Sequence, residues 1–225
     1  MKYQDFSLTL AQNRVELCGE KALYLPHSHT IIVSDLHFGK AAHFRKNGIG
    51  VPDQPDEENL RRLSDLILRK QAKKIIFSGD AFHSDANISL SLFAMWRSHF
   101  AAIEMILVKG NHDILKPSAY LLLGLDVIPH RLVIKNLEIV HKPEDANTIE
   151  SSNYALAGHL HPGISLQGRG RQSIQLACFW QGKTVGVLPA FGSFTGLCMV
   201  QPMPGDQVYA FAEGRIVQIP VPVAE

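Results

Sequence analysis

The sequence predicts an α/β fold, and three features of it do so. Short apolar runs, each ending in polar residues, suit buried strands. The segments between several of these runs carry apolar residues at helical spacing. The stretch after Gly163 is rich in glycine and proline and holds further strand-like runs, which implies a second, more antiparallel sheet.

Leu8 to Leu10 and Val15 to Leu17, around Gln12-Asn13-Arg14, read as an N-terminal hairpin. The first apolar run, Ile31-Ile32-Val33, leads into Ser34-Asp35-Leu36-His37. Pro55-Asp56 is a plausible helix start, and Leu60, Leu63, Leu66 and Ile67 follow at helical spacing. The second run, Ile75-Ile76-Phe77, leads into Ser78-Gly79-Asp80. Leu92, Phe93, Trp96 and Phe100 predict another helix before Met105-Ile106-Leu107-Val108, which leads into Lys109-Gly110-Asn111-His112-Asp113. Leu121-Leu122-Leu123 reads as core. Leu137 to Val140 ends in His141, and Tyr154 to Ala157 ends in Gly158-His159-Leu160-His161. The tail offers strands near Ile174 to Phe179, Val185 to Leu188, Leu197 to Val200, Val208 to Phe211 and Ile216 to Ile219.

Bulk properties narrow the function. A chain of 225 residues suits one domain, 1–225, with a sizeable core. Twenty-two basic against 21 acidic residues give a formal charge of +1, so there is no broad positive field and any nucleic-acid contact must be local. Arg61, Arg62, Arg69, Lys70, Lys73 and Lys74 read as a solvated helix face rather than a backbone-tracking patch. Cys18, Cys178 and Cys198 lack metal-site spacing and are expected to fill apolar volume. No apolar run has signal-peptide or membrane-span length, so the expectation is a cytoplasmic protein with no membrane partner.

In open α/β sheets, ligands gather at the carboxyl ends of strands. The five polar clusters all sit at such ends, and five reaching one edge of a sheet would build one preorganised site. A two-cation hydrolytic site needs carboxylates, one of them able to bridge, and neutral imidazoles. Asp35 and His37 can turn toward one cation, and Asp80 can offer an oxygen to each of two. Gly79 leaves room for close approach. Asn111 offers an amide oxygen, and His112 beside it offers a titratable proton. His159 and His161 flank Leu160, so an extended segment projects both imidazoles to one side. The bland alternatives are that Asp35 and Asp80 cap helices and that Asn111-His112 is only a turn. Asp113 reads either as a partner orienting His112 or as a turn acid.

Asp-x-His, Gly-Asp, Gly-Asn-His-Asp, a lone His and Gly-His-x-His, in this order from Ile31 to His161, resemble the calcineurin-like metallophosphoesterases. The resemblance implies a two-sheet β-sandwich flanked by α-helices. It also implies that Asp35, His37 and His161 bind one divalent metal ion, that Asn111, His141 and His159 bind a second, and that Asp80 bridges them. His112 would be the general acid or charge stabiliser. Manganese is a common activating ion in that family, and the mixed oxygen and nitrogen donors suit manganese, iron or zinc better than calcium.

Asp35-Leu36-His37-Phe38-Gly39-Lys40, continuing to His43-Phe44-Arg45, is similar to bacterial metallophosphoesterases associated with an ATP-dependent DNA ligase and DNA repair. That similarity implies a phosphodiesterase or endonuclease acting on DNA, with a ligase and a helicase as functional associates. His43, Arg45 and His83 follow the first two ligand clusters and are candidate phosphate contacts or plain loop residues. Arg169 and Arg171, in a Gly-rich loop, are candidate phosphate clamps. The competing functions are hydrolysis of a nucleotide-linked lipid precursor or small phosphomonoester, and a non-catalytic scaffold on the same fold.

Overall fold

The structure, a computed structural model, describes residues 3–46, 48, 55–83, 87–146, 153–168, 170 and 172–221. Strands β1 (Phe6–Leu10), β2 (Asn13–Cys18), β3 (Ala22–Leu25), β4 (Thr30–Val33), β5 (Lys74–Ser78), β6 (Glu104–Val108) and β7 (Asp126–Ile128) lie side by side in chain order. The pairings from β1 to β4 are antiparallel and those from β4 to β7 parallel.

The second sheet holds β8 (Arg131–Ile134), β9 (Leu137–Val140), β10 (Tyr154–Ala157), β11 (Pro162–Gln167), β12 (Ser173–Gln181), β13 (Val185–Val187), β14 (Cys198–Met199), β15 (Gln207–Ala212) and β16 (Arg215–Ile219). Its path runs β14-β11-β12-β13-β10-β9-β8, with β15 and β16 branching from β12. It is more antiparallel than the first, as expected, with β9, β10 and β13 as its parallel centre. The helices are α1 (Lys40–Lys46), α2 (Pro55–Lys70), α3 (Asn87–His99) and α4 (Pro117–Leu122).

Alternation along apolar strands explains the layers. Ile31 and Val33, Ile75 and Phe77, and Met105 and Leu107 face Leu60, Leu63, Leu66 and Phe93 of the helices. Their neighbours Ile32, Ile76, Ile106 and Val108 face Leu137, Ile139, Leu156 and Phe179 of the second sheet. The first sheet is therefore apolar on both sides, which is why its parallel strands read as unbroken hydrophobic runs. The protein is an α/β sandwich of two mixed sheets with helices on the first. Helix α2 starts with Pro55 and three acids in its first turn and ends in Arg69 and Lys70, matching the helix dipole at both ends. Trp96 Nε1 of α3 donates to Ser64 Oγ of α2 at 2.8 Å.

Several expectations need correction. The five polar clusters do not reach one sheet edge: three follow β4, β5 and β6 of the first sheet, and two follow β9 and β10 of the second. Leu123 is buried, but Leu121 and Leu122 are 77% and 86% exposed, because α4 is six residues long and only one of its faces meets the core. Cys18 and Cys178 are buried, whereas Cys198 is exposed on the short strand β14. Only part of the basic stretch is a solvated face, with Arg61 and Lys73 exposed. Arg69 and Lys70 pair with Asp5, Glu16 and Glu20, and the Arg62 guanidinium lies over the Phe191 ring at 4.2 Å. Phe100 lies just beyond the end of α3, partly buried against the same core. No helix among the described residues is long and apolar enough to cross a membrane.

Candidate metal centre

The carboxyl ends of β4, β5, β6, β9 and β10 meet where the two sheets face each other, and each delivers polar side chains. Asp35, His37 and His161 bring one donor atom each to within 4.8 Å of one another, and so do Asp80, His141 and His159. The sheets are tied together at this point. His159 N–H donates to Asp35 Oδ2 at 2.9 Å, Ser34 Oγ donates to the same oxygen, and Phe191 N–H donates to Ser34 O at 2.8 Å.

In both clusters the chain leaves electron-pair donors facing each other. His37 Nε2 lies 3.2 Å from His161 Nε2, and His161 Nε2 lies 3.4 Å from Asp35 Oδ1. That oxygen is fully buried with no hydrogen-bond partner, although its twin Oδ2 has two. An unpaired carboxylate oxygen inside a protein is costly unless a positive charge meets it. In the second cluster His141 Nδ1 faces Ser78 O at 3.3 Å, and a carbonyl can only accept, so Nδ1 carries the hydrogen. The other nitrogen, Nε2, then points at Asn111 Oδ1 at 3.0 Å and Asp80 Oδ2 at 3.4 Å. Asp80 Oδ1 is fixed from the other side by His112 N–H at 2.8 Å. The donor set of oxygens and imidazoles fits a divalent transition-metal ion at each cluster.

Backbone strain marks the same residues. Asp35, His37, Asp80, His159 and His161 all have φ between 49° and 69°, a region that non-glycine residues enter at a cost. Such conformations persist where the surroundings hold them, and here they aim five side chains at one place. The glycines of the motifs supply close approach. A Cβ on Gly79 would lie 2.0 Å from His141 Nδ1, and one on Gly158 would lie 1.7 Å from Ser34 Oγ.

Electrostatics keep most of these groups in the form a cation needs. Burial pushes the His37 imidazole down to about 3, with Lys40 and His161 adding to the effect against the pull of Asp35 and Asp80. Burial and the neighbouring His141 also lower His159. Burial works against the charged form of Asp80, but its hydrogen bond and attraction to His141, with the His112 amide, bring it down to about 2. The converse holds for His141: burial lowers it, and the bond to Asp80 more than compensates, so its net shift is upward.

The rest of the predicted site divides. The His112 ring stacks on His83 with centroids 4.6 Å apart, and both rings lie 5.4 Å from His37. His43, on α1, continues the row at 5.6 Å from His83. Arg45 lies exposed on the same helix, and its charge is felt by Asp56. Arg169 and Arg171 fall outside the described residues. Asp113 is fully buried and accepts Phe82 N–H at 3.0 Å and Gly110 N–H at 2.8 Å, so its carboxylate joins the β5 and β6 loops. Sequence reasoning passed over Ser34 and Lys40. The first holds Asp35, and the second places an ammonium within the influence of Asp35 and Asp80. Their proximity to Asp35 and His37 was the signal available.

The calcineurin-like phosphoesterase family model matches residues 28–186, which contain both donor clusters. The crystal structure of the Pseudomonas putida nuclease MPE is similar to this chain with a TM-score of 0.80 and 28% identity, covering 96% of this chain and 100% of that one. A protein of unknown function from Aquifex aeolicus aligns at 18% identity over 63% of this chain and 81% of that one, with a TM-score of 0.41. No curated protein matches the chain. The family model covers well over half of the sequence, and the chain therefore belongs to the calcineurin-like phosphoesterases, metal-dependent hydrolases of phosphate esters.

Proposed function

We propose that this chain is a two-cation phosphodiesterase that cleaves nucleic acid, active in DNA repair beside a ligase and a helicase, with manganese as its activating ion. One observation carries the two-cation reading: two groups of donor atoms converge, Asp80 of the second is felt by His37 of the first, and no Lys or Arg ion pair of the described residues reaches either group. Asp35, His37 and His161 would hold one ion, Asn111, His141 and His159 the other, and Asp80 would bridge. Likeness to a nuclease over almost the whole chain supports the nucleic-acid substrate.

Divalent cations bound there would supply Lewis acidity and neutralise charge developing on the phosphate. The chain supplies position and a proton. Asp35 Oδ2 and Asp80 Oδ1 are pinned by backbone amides, so each carboxylate presents its other oxygen without reorganising. His112, stacked on His83 and edge-on to His37, would donate to the leaving oxygen. His43, Arg45 and His83 on one flank, with Arg169 and Arg171, would contact the substrate phosphate.

The test is hydrolysis of bis-p-nitrophenyl phosphate and of single- and double-stranded DNA by the purified protein with manganese, iron or zinc. Turnover that requires a divalent ion and extends to DNA is expected. Inactivity toward DNA beside rapid hydrolysis of phosphomonoesters or nucleotide-linked lipids would replace the nuclease reading.

A further inference from the structure

Beside the metal centre lies a cavity of about 300 Å³, lined by Lys109, Pro129, His130, Arg131, Val140 and Asp145. It sits on the seam where the chain leaves β7 of the first sheet and enters β8 of the second. Lys109 follows β6 two residues before Asn111, and Val140 is bonded to His141. Consecutive Cα atoms are 3.8 Å apart, so its walls begin within about 7 Å of two residues of the second donor cluster.

The lining is built to meet an anion. Lys109 is exposed while its own N–H is anchored to Ile128 O at 2.9 Å. Arg131 rests one guanidinium nitrogen on Glu138 Oε1 at 3.2 Å, and Glu138 is 2% exposed, so a buried carboxylate orients the fork from below. The wall carries one acid, Asp145, besides the buried Glu138 that Arg131 pairs with, and Lys109 stands exposed beside them. The volume is at the lower end for ligand pockets and suits one phosphate with part of its sugar.

We propose that this cavity is a second phosphate subsite, in which Lys109 and Arg131 hold the phosphodiester next to the scissile one in a nucleic-acid strand; the assignment rests on the nuclease reading. Steady-state cleavage with manganese tests it. The substrates are bis-p-nitrophenyl phosphate and TpT, with one phosphate each, and an oligothymidylate. In the unaltered protein the oligomer gains in kcat/KM over TpT. Lys109→Ala removes most of that gain through a several-fold higher KM, and lowers the slope of log kcat/KM against log salt by about 0.7. It leaves bis-p-nitrophenyl phosphate turnover unchanged, and Lys109→Arg restores the oligomer. Arg131→Ala acts in the same direction, with thermal melting recorded because Glu138 loses its partner. Equal kcat/KM for TpT and the oligomer, or an unchanged KM and salt slope in Lys109→Ala, overturns the subsite and leaves the nuclease reading standing. Hydrolysis of bis-p-nitrophenyl phosphate with no cleavage of either nucleotide substrate overturns both.

Discussion

The protein gathers acidic and metal-ligating side chains in two very different ways. At the carboxyl edges of the sheets, Asp35, Asp80 and their histidines face one another, and no Lys or Arg ion pair among the described residues reaches them. At the other gathering point, Asp5, Cys18 and Glu20 also bring donor atoms within 4.8 Å of one another. There the chain supplies the charge. Arg69 donates to both oxygens of Glu20, at 3.1 and 2.7 Å, and to Asp5, while Lys70 reaches Asp5 and Glu16 at 2.6 Å each. Burial raises the Cys18 thiol far above its usual range, which favours its protonated form. The comparison teaches that convergence of donors does not define a metal site. What sets the first gathering apart is convergence without a Lys or Arg ion pair among the described residues, on backbone of positive φ.

The largest way to break this contrast is at Asp80. Asp80→Asn removes the carboxylate proposed to bridge the two groups, and turnover should vanish with loss of bound metal, measured by elemental analysis alongside hydrolysis of bis-p-nitrophenyl phosphate. Full metal content in that variant would contradict the bridging assignment. Next in size is His112→Ala, expected to slow hydrolysis by about 10² to 10⁴ while metal content stays near that of the unaltered protein. Equal metal loss in both variants would erase the separation between holding a cation and handling a proton.

A pH series sharpens the contrast between the two clusters. His141 is raised above 6.5 by Asp80, so their attraction stabilises the fold below pH 6.5 and is lost as pH rises through the elevated value. For Asp80, lowered to about 2, the contribution is present above 3.8 and fades as pH falls toward 2. A cation in the second cluster must displace the His141 proton, so its affinity should fall by up to about tenfold per pH unit once the medium is more acidic than His141. His37, held at about 3, adds no such loss of its own to the first cluster between pH 5 and 8. Calorimetric manganese titrations at pH 5.5 and 7.5 should show one binding step weakening well ahead of the other, and parallel weakening would refute the asymmetry. The smallest effect on activity belongs to Arg69→Ala. Removing the partner of buried Glu20 should cost about 3 kcal/mol in denaturant unfolding and leave bis-p-nitrophenyl phosphate turnover intact below the melting transition.

The contrast also explains what was legible beforehand. Asp35, His37, Asp80, Asn111, His141, His159 and His161 announced themselves because each follows an apolar run, and the end of a strand is a local feature. Which sheet a run joins is not local: Ile31 to Val33 and Tyr154 to Ala157 read alike, yet they lie on opposite layers because each pairs with strands remote in sequence. The same limit hid the role of Arg69, whose partners Asp5 and Glu20 lie 64 and 49 residues away, so the basic stretch read as a solvated face. Leu121 and Leu122 misled for the opposite reason. Hydrophobicity gave them a place in the core, and a six-residue helix has too little face to bury them.

Anomalous diffraction from crystals soaked in manganese tests the central claim most directly. Two peaks are expected, one among Asp35, His37 and His161 and one among Asp80, Asn111, His141 and His159, with Asp80 touching both and no density at Asp5, Cys18 and Glu20. A single peak remote from Asp80, or manganese at the cluster that Arg69 and Lys70 already neutralise, would contradict it.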